Sequence, residues 1–301
     1  MVKYSAPGKI FLFGEHAVVY EKRAIACAID LRTTVEITSA KSGGMHIQSS
    51  AFRDEPDKNE YIKTAINKFG RLANIDGINV RVYSDIPVAS GLGSSAAVSI
   101  ATIAALNDEY GTKMSLDEIA FMGYQTELEV QGAASPTDTF VSTMGGTVIV
   151  PDRKKLPPIS CGVVVGYTGI TKSTPRMVSR VKSLKEKYPE VIEGIMDCIG
   201  DMSTRGEMLV TNNDYRSIGE LMNINQGLLD AIGVCIPELS DQVNAARAQG
   251  AYGAKITGAG GGGCMVAICD QGLCAGIASA IGRSCGDSFI TRPTAEGVRK
   301  E

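Results

Sequence analysis

Hydrophobic and polar positions alternate in step along residues 78–83. Ile78, Val80 and Val82 fall on one face, and Asn79, Arg81 and Tyr83 on the other. A period of two is the mark of a strand with one side buried. This strand runs into Asp85-Ile86-Pro87 and a glycine cluster, after which Ser94 to Asn107 reads as a helix of small and apolar residues, ended by Gly111. Upstream, residues 8–13 predict a first strand with Lys9, Phe11 and Phe13 on one face, and residues 24–30 a second. Ser115 with Glu118 three residues on predicts a capping box, opening a helix that reaches about Gln131. Strand patterns return at 147–150 and 162–167. From Thr174-Pro175 the pattern is helical to about Gln249, with the proline suited to the first position of a helix. The tail alternates again: a strand at 264–269, a small-residue helix, and a strand at 287–291. Prolines and charges cluster at 151–158, which divides the chain into domains 1–155 and 156–301. The order predicts an α+β protein with strands early and helices late.

Composition narrows the class. A chain of 301 residues has room for two domains, and 44% hydrophobic with 21% charged residues is ordinary for a globular protein. A net charge of −3 gives no strong pull toward nucleic acid or anionic membrane. No apolar run approaches the roughly 20 residues that cross a bilayer, and MVKYSAPGKI lacks the order of a signal peptide. The 8 cysteines are scattered and form no C-x-x-C pair, so reduced, mostly buried thiols and a cytoplasmic location are expected. Only His16 and His46 could join them, and neither lies near a cysteine pair, so zinc is not expected.

Chemistry concentrates in three places. The first is Pro87-x-x-x-Gly91-Leu92-Gly93-Ser94-Ser95-Ala96-Ala97. Glycines expose backbone N–H groups there, the following helix aims its positive end at the same spot, and two serines add hydroxyls for phosphate or Mg²⁺. It is not a Walker A loop, and as a dinucleotide fingerprint the spacing is weak. A glycine-rich helix start without a ligand is the alternative. The second place is Lys255-Ile256-Thr257-Gly258-Ala259 followed by Gly260 to Gly263. Four consecutive glycines cost chain entropy, which suggests close backbone approach, though a flexible hairpin would look the same. The third is Pro7-Gly8-Lys9 with Gly14-Glu15-His16-Ala17-Val18-Val19-Tyr20. A lysine on an apolar strand is expensive unless paired. Singly, Lys9 could snorkel, His16 could cap a turn and Glu15 could be a solvated loop charge.

Together and in this order, the three motifs resemble the GHMP kinase superfamily over nearly the whole chain. The run Gly14-Glu15-His16-Ala17-Val18-Val19-Tyr20, with Ser135-Pro136-Thr137-Asp138 and Gly145-Gly146, is similar to its mevalonate kinase family, and the length to the compact archaeal members. The resemblance implies an N-terminal mixed α/β domain of the ribosomal S5 domain 2-like type and a ferredoxin-like C-terminal domain, with a site in the cleft between them. It implies ATP and mevalonate as substrates, Mg²⁺, and often a homodimer.

Residue by residue, it implies Asp138 as catalytic base or orienter and Lys9 as its partner. Asp85, Ile86, Pro87, Val88, Ala89, Ser90, Gly91, Leu92, Gly93, Ser94 and Ser95 would surround the nucleotide. Ser95 and Glu127 would hold Mg²⁺, and Glu15 and His16 would contact substrate. Helical geometry favours Glu127 independently: at about 100° per residue it projects between Ala120 and Gly123, whereas Glu129 shares the polar face with Gln125 and Glu118. A tolerated boundary glutamate is the alternative. Arg176, Lys172 and Arg32 are unranked candidates for the substrate carboxylate. Rival readings are a phosphomevalonate or homoserine kinase and a non-catalytic nucleotide-binding homologue.

Overall fold

The computed structural model describes residues 1–40, 43–49, 56–87, 90–132, 134–171 and 174–301, with the side chains of 56–58 left aside. The chain opens with a long antiparallel pair, β1 (Val2–Phe13) and β2 (Ala24–Ser39). Both outrun the expectation, in which the first began at Gly8 and the second ended at Asp30. The pair continues because a register shift at Pro7/Gly8 absorbs the proline. Beyond it, Arg32 is hydrogen-bonded within the fold rather than ending the strand. Next come β3 (Gly44–Ser49), α1 (Pro56–Phe69) and β4 (Gly77–Ser84), with β4 pairing antiparallel to β2 and parallel to β3. Helix α1 buries Ile62, Ala65, Ile66 and Phe69, a stripe at helical spacing.

Helix α2 (Ser94–Tyr110) packs on β1 and β2 and is buried along most of its length, so its small and apolar residues face protein on nearly every side. Gly111 ends it in the left-handed conformation, as predicted. Helix α3 (Leu116–Gln131) begins with the predicted capping box at Ser115 and Glu118. Helix α4 (Pro136–Met144), β5 (Thr147–Val150) and β6 (Lys154–Leu156) complete the first half.

Strand β7 (Gly162–Tyr167) opens a second sheet. Helices α5 (Thr174–Lys187), α6 (Pro189–Thr211), α7 (Tyr215–Ala231) and α8 (Pro237–Ala248) follow, then β8 (Gly253–Ile256), β9 (Cys264–Cys269), α9 (Cys274–Ser284), β10 (Asp287–Thr291) and β11 (Arg299–Lys300). The second sheet runs β10-β7-β9-β8, antiparallel throughout. Its strands thus lie in the order fourth, first, third, second, that of a ferredoxin-like unit. Strand β11 does not belong to it: it returns to pair with β1 in the first sheet. A single cut after residue 155 therefore passes through β6 and leaves the tail attached to the first sheet.

One contact fixes how the helical layer sits on the second sheet. Gly219 of α7 lies against Gly253 at the start of β8, and a Cβ on Gly219 would stand 2.3 Å from the Tyr252 carbonyl carbon. Only hydrogen fits there, so α7 and β8 touch backbone to backbone. Gly227, on the same helix, has nothing within 4 Å of its missing Cβ. Gly219→Ala is expected to lower unfolding free energy by about 1–3 kcal/mol through overpacking. Gly227→Ala should raise it by about 0.5–1 kcal/mol through helix propensity. Denaturant midpoints of the two variants measure both.

Candidate active site

Lys9, on the inner run of β1, is 2% exposed and does not snorkel to solvent. Its ammonium stands 3.4 Å from Asp138 Oδ1, donates to the Gly91 carbonyl at 3.2 Å, and lies 4.2 Å from the centre of the Phe11 ring. The strand is drawn against the glycine loop, because Lys9 N–H donates to the Leu92 carbonyl at 2.8 Å. Gly93 is needed at that contact: its φ is 76°, and a Cβ there would sit 3.1 Å from Lys9 Cγ.

Gly93 is also the N-cap of α2, so no side chain caps the helix, and its first turn carries no acidic residue. A buried helix start left in this state attracts anions through its N–H groups and its dipole. Of the predicted nucleotide positions, Ile86 and Leu92 bury their side chains in the core and offer backbone only. Ser90 accepts from Leu92 N–H at 3.3 Å, and its carbonyl takes the Cys264 N–H at 2.9 Å. Asp85 is exposed and Pro87 half-buried. Val88 and Ala89 lie outside the described residues.

Ser95, in the first turn of α2, donates its hydroxyl to Glu127 Oε1 at 2.6 Å. Glu127 is 3% exposed on the inward face of α3, the orientation its helical position implied. Glu129 is exposed and pairs with Lys68 at 2.5 Å. Burial, and after it the nearby Asp138 charge, push the Glu127 carboxyl up to about 8, against the smaller pulls of Ser95 and Lys9. Asp138 is the third residue of α4, where Pro136 opens the helix and Ser135 caps it by accepting from Thr137 N–H at 3.3 Å. A carboxylate is favoured in a first turn. Its side chain keeps 27% exposure, so it reaches the protein surface. Residues 9, 95, 127 and 138 thus converge from four elements.

Glu15 departs from expectation. It is neither a solvated loop charge nor open to a substrate. Buried to 1% exposure, it pairs through Oε1 with Lys255 of β8, itself fully buried, and through Oε2 accepts from Asn225 Nδ2 of α7 at 3.4 Å. His16 is buried with φ of 61°, and its Nε2 lies 3.0 Å from the Ala259 carbonyl. Arg32 is removed as a carboxylate-binding candidate. Its guanidinium is buried among Ser5 Oγ at 2.7 Å, the Ser5 carbonyl at 3.0 Å and the Gly297 carbonyl at 2.6 Å. Arg176 is exposed near the start of α5, and Lys172 lies outside the described residues.

The loop 258–263 joins β8 to β9 but is not slack. Gly261 N–H donates to the Val234 carbonyl at 2.7 Å and Gly263 N–H to the Ile170 carbonyl at 3.0 Å. A Cβ on Gly260 would fall 2.2 Å from the Val234 oxygen. The close approach expected of these glycines is to their own chain. Lys255 and Thr257 stood at the head of the second glycine motif without a role of their own, and Asn225 went unread. The signal for Lys255 was the one used for Lys9, a lysine inside an apolar strand.

A buried lysine paired with a partly exposed aspartate stands beside an uncapped, glycine-led helix, an arrangement suited to an anion such as phosphate. The family descriptions GHMP kinases N terminal domain and GHMP kinases C terminal match residues 60–146 and 208–287. The chain belongs to the GHMP kinase family. It is 41% identical to the mevalonate kinase of Thermococcus sibiricus, over 99% of this chain and 97% of that protein. It is 42% identical to the mevalonate kinase of Archaeoglobus fulgidus, over 99% of each. The crystal structure of Methanococcus jannaschii mevalonate kinase superposes with a TM-score of 0.84 at 29% identity, covering 97% of this chain and 98% of that one. The Leishmania major mevalonate kinase complex with R-mevalonate superposes at 0.88, over 98% and 97% of the two chains, and at 24% identity supports the fold alone. Among the described residues no helix is long and apolar enough to cross a membrane.

The raised Glu127 carboxyl has a pH consequence for the protein free of nucleotide and metal. Between the ordinary glutamate value and about 8 the folded state holds a proton that the unfolded chain has lost, so stability falls as pH rises through that window. Glu127→Gln should flatten this slope. Thermal unfolding in chelator from pH 5 to 8 reads it, and equal slopes in both proteins would contradict the assignment.

Proposed function

We propose that this protein is a mevalonate kinase, transferring the γ-phosphoryl group of ATP to the primary hydroxyl of mevalonate to give 5-phosphomevalonate and ADP. The observation that carries the reading is the Lys9–Asp138 pair set beside the uncapped start of α2. In the transfer, the substrate oxygen bonds to the γ-phosphorus, the bond from that phosphorus to the oxygen retained by ADP breaks, and the hydroxyl proton passes to Asp138. Lys9 steadies the Asp138 carboxylate beforehand and opposes the charge that gathers on the moving phosphoryl oxygens. Such transfers depend mainly on positioning and electrostatics. His16, on the turn after β1, is assigned to the substrate side of the cleft. By family resemblance alone, the reading extends to a cytoplasmic homodimer.

The donor set fits Mg²⁺. Ser95 Oγ and Glu127 Oε1 are hard oxygens 2.6 Å apart, and the burial that disfavours the Glu127 anion is the condition a divalent cation relieves. Mg²⁺ commonly takes one or two protein ligands and leaves the rest to water and phosphate. Ser95 and Glu127 would hold it, and it would supply neutralisation of the nucleotide phosphates.

The substrate assignment is tested by ADP release with mevalonate, phosphomevalonate, homoserine and galactose. Mevalonate should be turned over best, with the phosphate mapped to the primary oxygen by phosphorus NMR. Turnover of homoserine or phosphomevalonate with none of mevalonate would refute it.

For the metal site, Glu127→Gln should raise the Mg²⁺ concentration giving half-maximal rate and depress kcat at saturating metal. Glu129→Gln should change neither, because its carboxylate is exposed and pairs with Lys68. Identical Mg²⁺ titrations for the two variants would remove Glu127 from the metal site.

A further inference from the structure

The kinase reading uses Lys9, Asp138, Ser95 and Glu127, but leaves unexplained a second buried ion pair nearby. Lys255 and Glu15 are the two partners, and neither side chain has any exposure. Lys255 also donates to the Ile256 carbonyl at 2.7 Å, and Asn225 occupies the second Glu15 oxygen. Two charges taken this far from water need each other: removing one strands the other. Burial pulls the Lys255 ammonium down from its ordinary range, Glu15 pushes it back, and Lys9 adds a smaller downward pull. The charge on Lys9 is therefore within electrostatic reach.

The pair is one of three contacts made by alternate residues of a single segment. Lys255 binds Glu15. Thr257 Oγ1 accepts the Phe11 N–H at 2.9 Å, and the Ala259 carbonyl meets His16 Nε2 at 3.0 Å. Positions 255, 257 and 259 of the second sheet's hairpin thus grip position 11 of β1 and positions 15 and 16 of the turn that follows it. Phe11 is the residue whose ring lies under the Lys9 ammonium. At the far end of the same hairpin, Cys264 N–H donates to the Ser90 carbonyl in the phosphate loop.

We propose that Lys255, with Thr257, is a positioning residue for phosphoryl transfer: the β8–β9 hairpin clamps the strand that carries Lys9, and the buried Lys255–Glu15 pair is the pin of that clamp. Lys255 acts through Glu15 and β1 and touches neither nucleotide nor acceptor. Glu15 is accordingly a partner of the pin and not a substrate ligand. The inference rests on the kinase reading but not on the acceptor's identity.

The test compares Lys255→Met, Glu15→Gln, the double variant and Thr257→Val by melting temperature and steady-state kinetics. The acceptor is whichever compound the wild-type protein turns over best in the assay above, so an error in the substrate assignment leaves the comparison intact. Each single charge variant should melt lower, because it strands a buried charge. The double variant, with no stranded charge, should recover most of the melting temperature. Its kcat should stay about 10- to 100-fold below wild type, the scale of a small misplacement of a reacting group. The KM for ATP should hold within about threefold, since the phosphate loop is intact. Thr257→Val adds no charge and keeps the side-chain shape, so it should fold and also lose kcat. A double variant with wild-type kcat would reduce the pair to a stabilising contact and overturn the proposal. If the double variant does not fold, wild-type kcat in Thr257→Val overturns it in the same way.

Discussion

An ammonium group held out of water sets the terms for the centre of this molecule. The effective penalty for burying one ion is several kcal/mol, and it is offset only when an opposite charge and hydrogen-bond acceptors stand in place. Lys9 meets this demand with Asp138 from α4, the Gly91 carbonyl and the face of Phe11. Each partner comes from a different stretch of chain. The position of β1 against α2, and of α4 against both, is therefore bound to the position of one nitrogen. The same demand, met by Glu15 for Lys255, ties the second sheet to the turn that follows β1.

Backbone contact does the rest. Gly93 lets the glycine loop close on Lys9, and Gly123 lets α3 settle on α2, where a Cβ would reach within 2.4 Å of Ile100 Cδ1. Glu127 consequently arrives beside Ser95 at hydrogen-bond distance. Two of the approaches that bring the four groups together, at Gly93 and Gly123, thus leave no room for a larger side chain.

Much of this was legible in the chain. The period of two at 78–83, the capping box at Ser115 and the inward face of Glu127 are local signals, and the structure carries each of them. The Ile62, Ala65, Ile66 and Phe69 stripe of α1 was equally local and went unread beside more polar neighbours. Other features are not local. Glu15 looks like a loop carboxylate until Lys255, 240 positions away, is brought against it. Arg32 looks available to a substrate until the Gly297 carbonyl closes over it. Charge, spacing and periodicity report on neighbours in sequence, whereas partners folded in from a distant segment leave no mark at the residue they neutralise.

The returning tail bears on the order in which a ribosome would complete this fold. The first sheet is made early, yet β1 gains its outer neighbour only from β11. The Arg32 guanidinium obtains its shortest hydrogen bond from Gly297, and Ser5 donates to Glu301 at 2.5 Å. The turn after α4 is likewise fastened late, through Gly146 N–H to the Thr294 carbonyl and Val298 N–H to the Thr143 carbonyl. Domains usually fold as units, the N-terminal one first as the chain emerges. Here the first unit would wait through translation of the second with a buried arginine half satisfied and a strand edge open. Residues 292–301 would close both at once, so a segment made after the second unit finishes the half begun first.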